Sequence, residues 1–183
     1  MRRELPQVDR RAAALCAAGA LAIGALVAAG LAGFRFNDTE SMPAGIWRVT
    51  AAADTRRGDV VTICAPDVPS IRQARERGYI GPGICANGAE PLVKPVAAVP
   101  GDLVTVAREG VAVNGEPVER TAQLEQDGAG RPLHGMAPGS YRVAPGQVWL
   151  LSGYDTRSFD SRYFGAVPVA NVLGRTWPVW VAR

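Results

Sequence analysis

A chain of 183 residues with a formal charge of +3 suits one compact domain plus an accessory segment. Residues 1–11 carry four arginines against two acids, so the remainder is near neutral and has no basic stripe to neutralise phosphates. That argues against nucleic-acid binding, and the lack of CxxC or His-rich spacing gives no reason to expect a metal or another cofactor.

Residues 12–34 carry no charge and are mostly Ala and Gly with a few Leu and Ile. Roughly 20 such residues in a helix cross a bilayer core. Four arginines precede the segment, while Arg35, Asp38 and Glu40 follow at once, a bias that keeps the N-terminus in the cytoplasm and exports the rest. A cleaved signal peptide is the rival, but its apolar core usually runs only about 7–15 residues. A buried helix of a soluble protein is the third alternative. The expectation is an uncleaved anchor.

Past the anchor, "FNDTESMPAGIWRV" opens with a polar turn in which Pro43 and Gly45 fix a bend just before a strand. Such a bend presents the Ser41 hydroxyl outward, with Thr39 two residues earlier; the bland alternative is a solvated turn. "IWRVT", "DVVTIC", "PLVKPVAAV", "DLVTVA" and "QVWLLS" are short Val-rich runs bounded by Gly, Pro and Asp, and they predict strands. Ser70 and Gln73 form a capping box for a helix over 70–77, stopped by Gly78. Asn114-Gly115 between apolar runs predicts a type I′ hairpin. Residues 120–147 predict a long irregular excursion. The fold expected is mainly β, an antiparallel barrel or sandwich with one small helical insertion. Trp177 and Trp180 fit either a headgroup contact or a core strand.

Cys16 falls in the apolar span, whereas Cys64 and Cys85 flank the insertion. In an oxidising compartment these two can pair; two unrelated buried thiols are the alternative. His134 is the single histidine and sits in a Gly/Pro-rich loop, a poor setting for a catalytic triad. Lys94 is the sole lysine of a chain that otherwise uses arginine for positive charge. Among apolar neighbours a lysine loses the hydration of its charged form, so its pKa falls and a neutral amine becomes available, which arginine does not permit.

Three stretches then resemble the boxes of one family, the signal peptidases, in its conjugative-transfer (TraF-type) branch. Residues 37–47, with serine, proline and glycine at alternate positions before Trp47, resemble the nucleophile box. Lys94 with Pro100-Gly101-Asp102 resembles the lysine box, and Ser158-Phe159-Asp160-Ser161-Arg162 the S-x-D-S-R box. The resemblance implies a signal-peptidase-like antiparallel β domain, with Ser41 as nucleophile and Lys94 as general base. It further implies Thr39 as an oxyanion donor, Ser158 as support for the lysine, and Asp160 with Arg162 as an ion pair shaping that loop. Met42, Ile46, Leu92 and Val93 match positions lining shallow apolar pockets. The Cys64–Cys85 segment also looks like that branch. Type I enzymes carry G-D-N-R ahead of the third box, where this chain reads Ser152-Gly153-Tyr154-Asp155-Thr156-Arg157, and Pro43 falls one place earlier than in them.

The expected organisation is a cytoplasmic tail (1–11), a transmembrane helix (12–34) and a periplasmic peptidase domain (35–183) on the bacterial inner membrane. The expected partners are membrane lipid, an exported pilin-like precursor as substrate, and a conjugation or secretion apparatus. A general type I signal peptidase and a non-catalytic anchored β-domain of a secretion channel are the rival readings.

Overall fold

A computed structural model describes residues 10–51 and 54–182. Helix α1 spans Arg10–Leu31, and none of its residues is buried, which removes the soluble-core alternative. At 1.5 Å per residue its length is about 33 Å, enough for a bilayer core. Gly33 ends it with φ +89°, and a Cβ there would lie 2.3 Å from the Val49 carbonyl oxygen. Only glycine permits that approach.

Eleven strands follow among the described residues. The first sheet contains β1 (Phe34–Asn37), β2 (Gly45–Thr50), β3 (Val60–Ile63), β4 (Leu92–Ala98), β9 (Gln147–Leu150), β10 (Val167–Pro168) and β11 (Val172–Val181). Its order is β1-β2-β11-β3-β4-β9-β10. The second sheet holds β5 (Leu103–Ala107), β6 (Gly110–Val113), β7 (Glu116–Val118) and β8 (Gly139–Arg142), in the order β7-β6-β5-β8. All pairings are antiparallel. The mainly β architecture expected from the Val-rich runs is therefore the observed one.

Alternation along β9, and the register shift between Val96 and Ala98 on β4, let the two strands serve two cores at once. Val96, Val148 and Leu150 pack with Val61, Ile63, Ile71 and Phe164, whereas Ala98 and Trp149 pack with Val104, Val106, Val111 and Val113. The turn after β4 is tied by Asp102, whose carboxylate accepts from the Val99 N–H at 2.8 Å, Asn114 Nδ2 at 2.9 Å and Arg57 Nη2 at 2.5 Å.

Several expectations need correction. Helix α2 runs Pro69–Glu76 with Val68 at its N-cap and no side-chain cap bond, so the Ser70–Gln73 capping box does not form. Pro69, pre-set for the first helical turn, starts the helix one residue earlier. The stop at Gly78 is as expected. The hairpin at Asn114-Gly115 joins β6 to β7, both turn residues having positive φ. The excursion 120–147 is less irregular than its composition implied, since β8 pairs there with β5. Trp177 and Trp180 lie on β11 but are 51 % and 71 % exposed, so they are not core residues.

Cys64 and Cys85 are joined by a disulfide that closes α2 into a loop with a sequence separation of 21. Loop closure of that size stabilises by roughly 3 kcal/mol. Replacing both cysteines by serine is expected to lower unfolding stability by about that amount in denaturant titration. Mass spectrometry without reductant should find no free thiol at either position in the parent chain.

Candidate active site

The turn bearing Ser41 is held by a buried asparagine. Asn37, the last residue of β1, donates through Nδ2 to the carbonyls of Thr39 (3.2 Å), Met42 (3.0 Å) and Pro43 (3.2 Å). Its Oδ1 accepts the Thr39 hydroxyl at 2.8 Å. Trp47 Nε1 adds a bond to the Pro43 carbonyl at 3.0 Å. From the far side of the site, Ser152 Oγ donates to the Ser41 carbonyl at 2.5 Å. The bend is thus fixed by side chains rather than by its own backbone, and Ser41 stays half-buried at a cavity wall.

Lys94 occupies an inward position of β4, on the same face as Val96, and is 3 % exposed. Its Nζ donates to Ser158 Oγ at 2.9 Å. Burial strips water from the ammonium and drives its pKa from 10.5 down to about 8. The Asp160 carboxylate opposes that shift, and the Arg162 charge adds to it. About a tenth of the amine is then neutral at pH 7. Among the described residues Nζ bonds to Ser158 and not to Ser41, although both dyad candidates line one cavity.

Each polar letter of the S-x-D-S-R box has a physical task here. Ser158 holds the lysine amine. Asp160 caps the short helix α3 (Ser161–Phe164) and accepts the Ser152 N–H at 3.0 Å. Ser161 Oγ accepts from the Leu150 N–H at 2.9 Å, fixing the box to β9. Arg162 is fully buried and grips Asp160 bidentately, Nε to Oδ1 at 2.9 Å and Nη2 to Oδ2 at 2.8 Å. Its remaining donors reach the carbonyls of Arg120, Ala122, Thr156 and Ser152. Ser152 is the junction between this ion pair and the Ser41 turn.

The cavity shared by Ser41 and Lys94 measures about 630 Å³ and is also lined by Leu92, Val93, Tyr79 and Phe159. A second cavity of about 370 Å³, edged by Glu40, Asp127, Arg131 and Arg157, adjoins it. Thr39, Ser41, Tyr79 and Phe159 border both. Leu92 and Val93, two of the residues the resemblance assigns to apolar pockets, line the first cavity. Met42 and Ile46 do not line either cavity. Met42 is buried with its sulfur 3.9 Å from Ser152 Oγ. Ile46 points to the outer face of β2, opposite Trp47, because successive strand residues alternate. Asn37 and Ser152 are the residues sequence reasoning missed. An asparagine ahead of a turn was a usable signal for Asn37, whereas nothing local marked Ser152. Among the described residues no group of three or more His, Cys, Asp or Glu side chains could hold a metal.

The family profile "Signal peptidase, peptidase S26" matches residues 10–181. The chain belongs to the signal peptidase family. Within it the TraF-type branch is the near one. The chain is 42 % identical over 156 residues to a probable conjugal transfer protein TraF of Sinorhizobium fredii, covering 84 % of this chain and 80 % of that one. It is 41 % identical over 162 residues to a plasmid transfer protein TraF of Escherichia coli, covering 87 % and 89 %. Signal peptidase I of Mycobacterium tuberculosis is 36 % identical over 107 residues, covering 48 % of this chain and 36 % of that enzyme. The solved structure of a signal peptidase I from Enterococcus faecalis aligns with a TM-score of 0.39 at 20 % identity, covering 68 % of this chain and 98 % of that one.

For this signal peptidase relative the buried lysine has a stability signature. Below about pH 8 the folded chain carries a charged, desolvated amine, a cost of roughly 3 kcal/mol at 1.36 kcal/mol per pKa unit. Between about 8 and 10.5 only the unfolded chain remains protonated there, so stability rises with pH and the cost fades. Lys94→Met is expected to raise stability at pH 7 by up to about 3 kcal/mol, and to raise it little at pH 10.5. Thermal melts at the two pH values check it.

Proposed function

We propose that the chain is a membrane-anchored serine endopeptidase that removes the leader of an exported precursor, a pilin of a conjugation apparatus. The observation that carries this reading is a desolvated Lys94, with a pKa near 8, on the wall of the cavity that also receives Ser41. Neutral Lys94 takes the proton of the Ser41 hydroxyl as Oγ attacks the scissile carbonyl. The tetrahedral intermediate collapses, the C–N bond breaks, and the lysine returns its proton to the leaving amine. Water then attacks the acyl-serine by the same base and frees the acid. Ser158 steadies the amine between steps. The Ser41 N–H and the Thr39 hydroxyl serve the oxyanion, which requires the Thr39 hydroxyl to turn from Asn37 Oδ1.

The apolar α1 anchors the enzyme, with residues 1–11 cytoplasmic and residues 35–183 in the periplasm. The exposed Phe36, Trp177, Val179 and Trp180 lie on β1 and β11, in the sheet that continues from α1, and rest at the headgroup level. The disulfide suits that oxidising compartment. The relatives' naming for conjugal and plasmid transfer supports a pilin substrate. A general signal peptidase fits less well, because the similarity to signal peptidase I covers only 48 % of the chain.

With the full chain in detergent and candidate pilin precursors, cleavage is read as fragment mass. Ser41→Ala or Lys94→Arg should each cut kcat/KM by a factor on the order of 10⁴ to 10⁶. The parent kcat/KM should climb with pH and level off above about 8. Full cleavage by either variant would refute the Ser/Lys mechanism, whereas no cleavage by the parent would leave a non-catalytic channel component as the better reading.

A further inference from the structure

The cavity that holds Ser41 and Lys94 does not stop at the β domain. Gly30 and Leu31, in the last turn of α1, line it together with Gly33 and Arg35. The helix end is brought there by a fixed junction. The Val49 N–H donates to the Gly33 carbonyl at 2.9 Å, and Gly33 packs directly on the Val49 carbonyl, while Val49 and Thr50 themselves line the same cavity. Arg35 Nη1 donates to the Gly30 carbonyl at 2.7 Å, which satisfies one of the orphan acceptors at the helix end. The last turn thus presents to the cavity a Leu31 that is 85 % exposed and a glycine backbone whose carbonyl is already satisfied by Arg35.

We infer that the last turn of α1 is part of the substrate site and contacts the apolar leader segment on the acyl side of the scissile bond. This rests on the proposed peptidase reading and goes beyond the pockets next to the bond. The leader of an exported precursor is itself an apolar segment lying in the bilayer, and it leaves the membrane at the level where α1 ends. From Gly30 and Leu31 the cavity continues past Ile80 and Ile84, on the disulfide-closed insertion, to Leu92, Val93 and Ser41. A chain following it meets these apolar side chains from the bilayer to the hydroxyl, with Arg35, Asp38 and Glu90 as charged groups along the wall. The anchor thus reads the leader as well as tethering the enzyme.

The test uses the full chain in detergent micelles and two fluorogenic peptides sharing one Ala-x-Ala cleavage site. The long one adds an apolar Leu/Ala segment of about 12 residues on the acyl side, within the usual range of a leader core. The parent is expected to prefer the long peptide by at least about ten-fold in kcat/KM. A Cβ at Gly30 meets nothing nearer than Arg35 Nη1 at 3.9 Å, so Gly30→Trp is accommodated while filling that end of the cavity. It should erase most of the preference through a higher KM for the long peptide, and Leu31→Asn should weaken it several-fold. Gly24→Trp, on the same helix where a Cβ meets nothing within 4 Å, should leave the long-to-short ratio unchanged. A parent with no preference, or a ratio unmoved by both Gly30→Trp and Leu31→Asn, overturns the inference while leaving the peptidase reading intact. Cleavage of neither peptide by the parent overturns both.

Discussion

The site depends on one electrostatic balance: a lone ammonium kept from water beside an ion pair whose two charges act on it in opposite senses. Taken alone, Asp160 would hold Lys94 charged; taken alone, Arg162 would repel it. The two are locked bidentately and act on Nζ in opposite senses, and desolvation, the largest influence, decides the outcome. A buried ion pair is weak evidence for stability. Here its value lies in providing rigid polar structure around the lysine without fixing the lysine's proton.

The architecture converts that balance into a position. β4 carries Lys94 inward while its neighbour β9 is bolted to the 158–162 box through Ser161, so the amine comes from a strand and the supporting hydroxyl from a loop tied to the adjacent one. The Ser41 turn arrives from the other side of the sheet, on the β1–β2 hairpin next to the anchor. Asn37 and Ser152 clamp its backbone at opposite ends. The hydroxyl is therefore presented by a rigid bend with little conformational freedom left.

What the sequence disclosed was whatever local chemistry dictates. An uncharged run must be a helix, Asn114-Gly115 must turn, and a solitary lysine among valines must be desolvated on an alternating strand. What stayed hidden was long-range. β8 and β11 find their partners across many residues, and β11 has Pro178 in its run, tolerated because that stretch pairs with β2 alone. The capping box at Ser70 lost to Pro69, a stronger starter one residue earlier. Ile46 was placed by motif alignment, and strand alternation turns it away from the cavity. Ser152 was invisible because its partners, Ser41 and Asp160, meet only after folding.

The guanidinium of Arg162 has a complementary consequence. Its planar fork reaches two carboxylate oxygens and four carbonyls in different directions, a pattern that three donors radiating from a single nitrogen do not reproduce. Position 162 thus uses the fork of a cation that never gives up its proton, while burial at position 94 loosens the proton of a cation that can. Within this chain the two basic side chains are therefore different chemical parts and not synonyms.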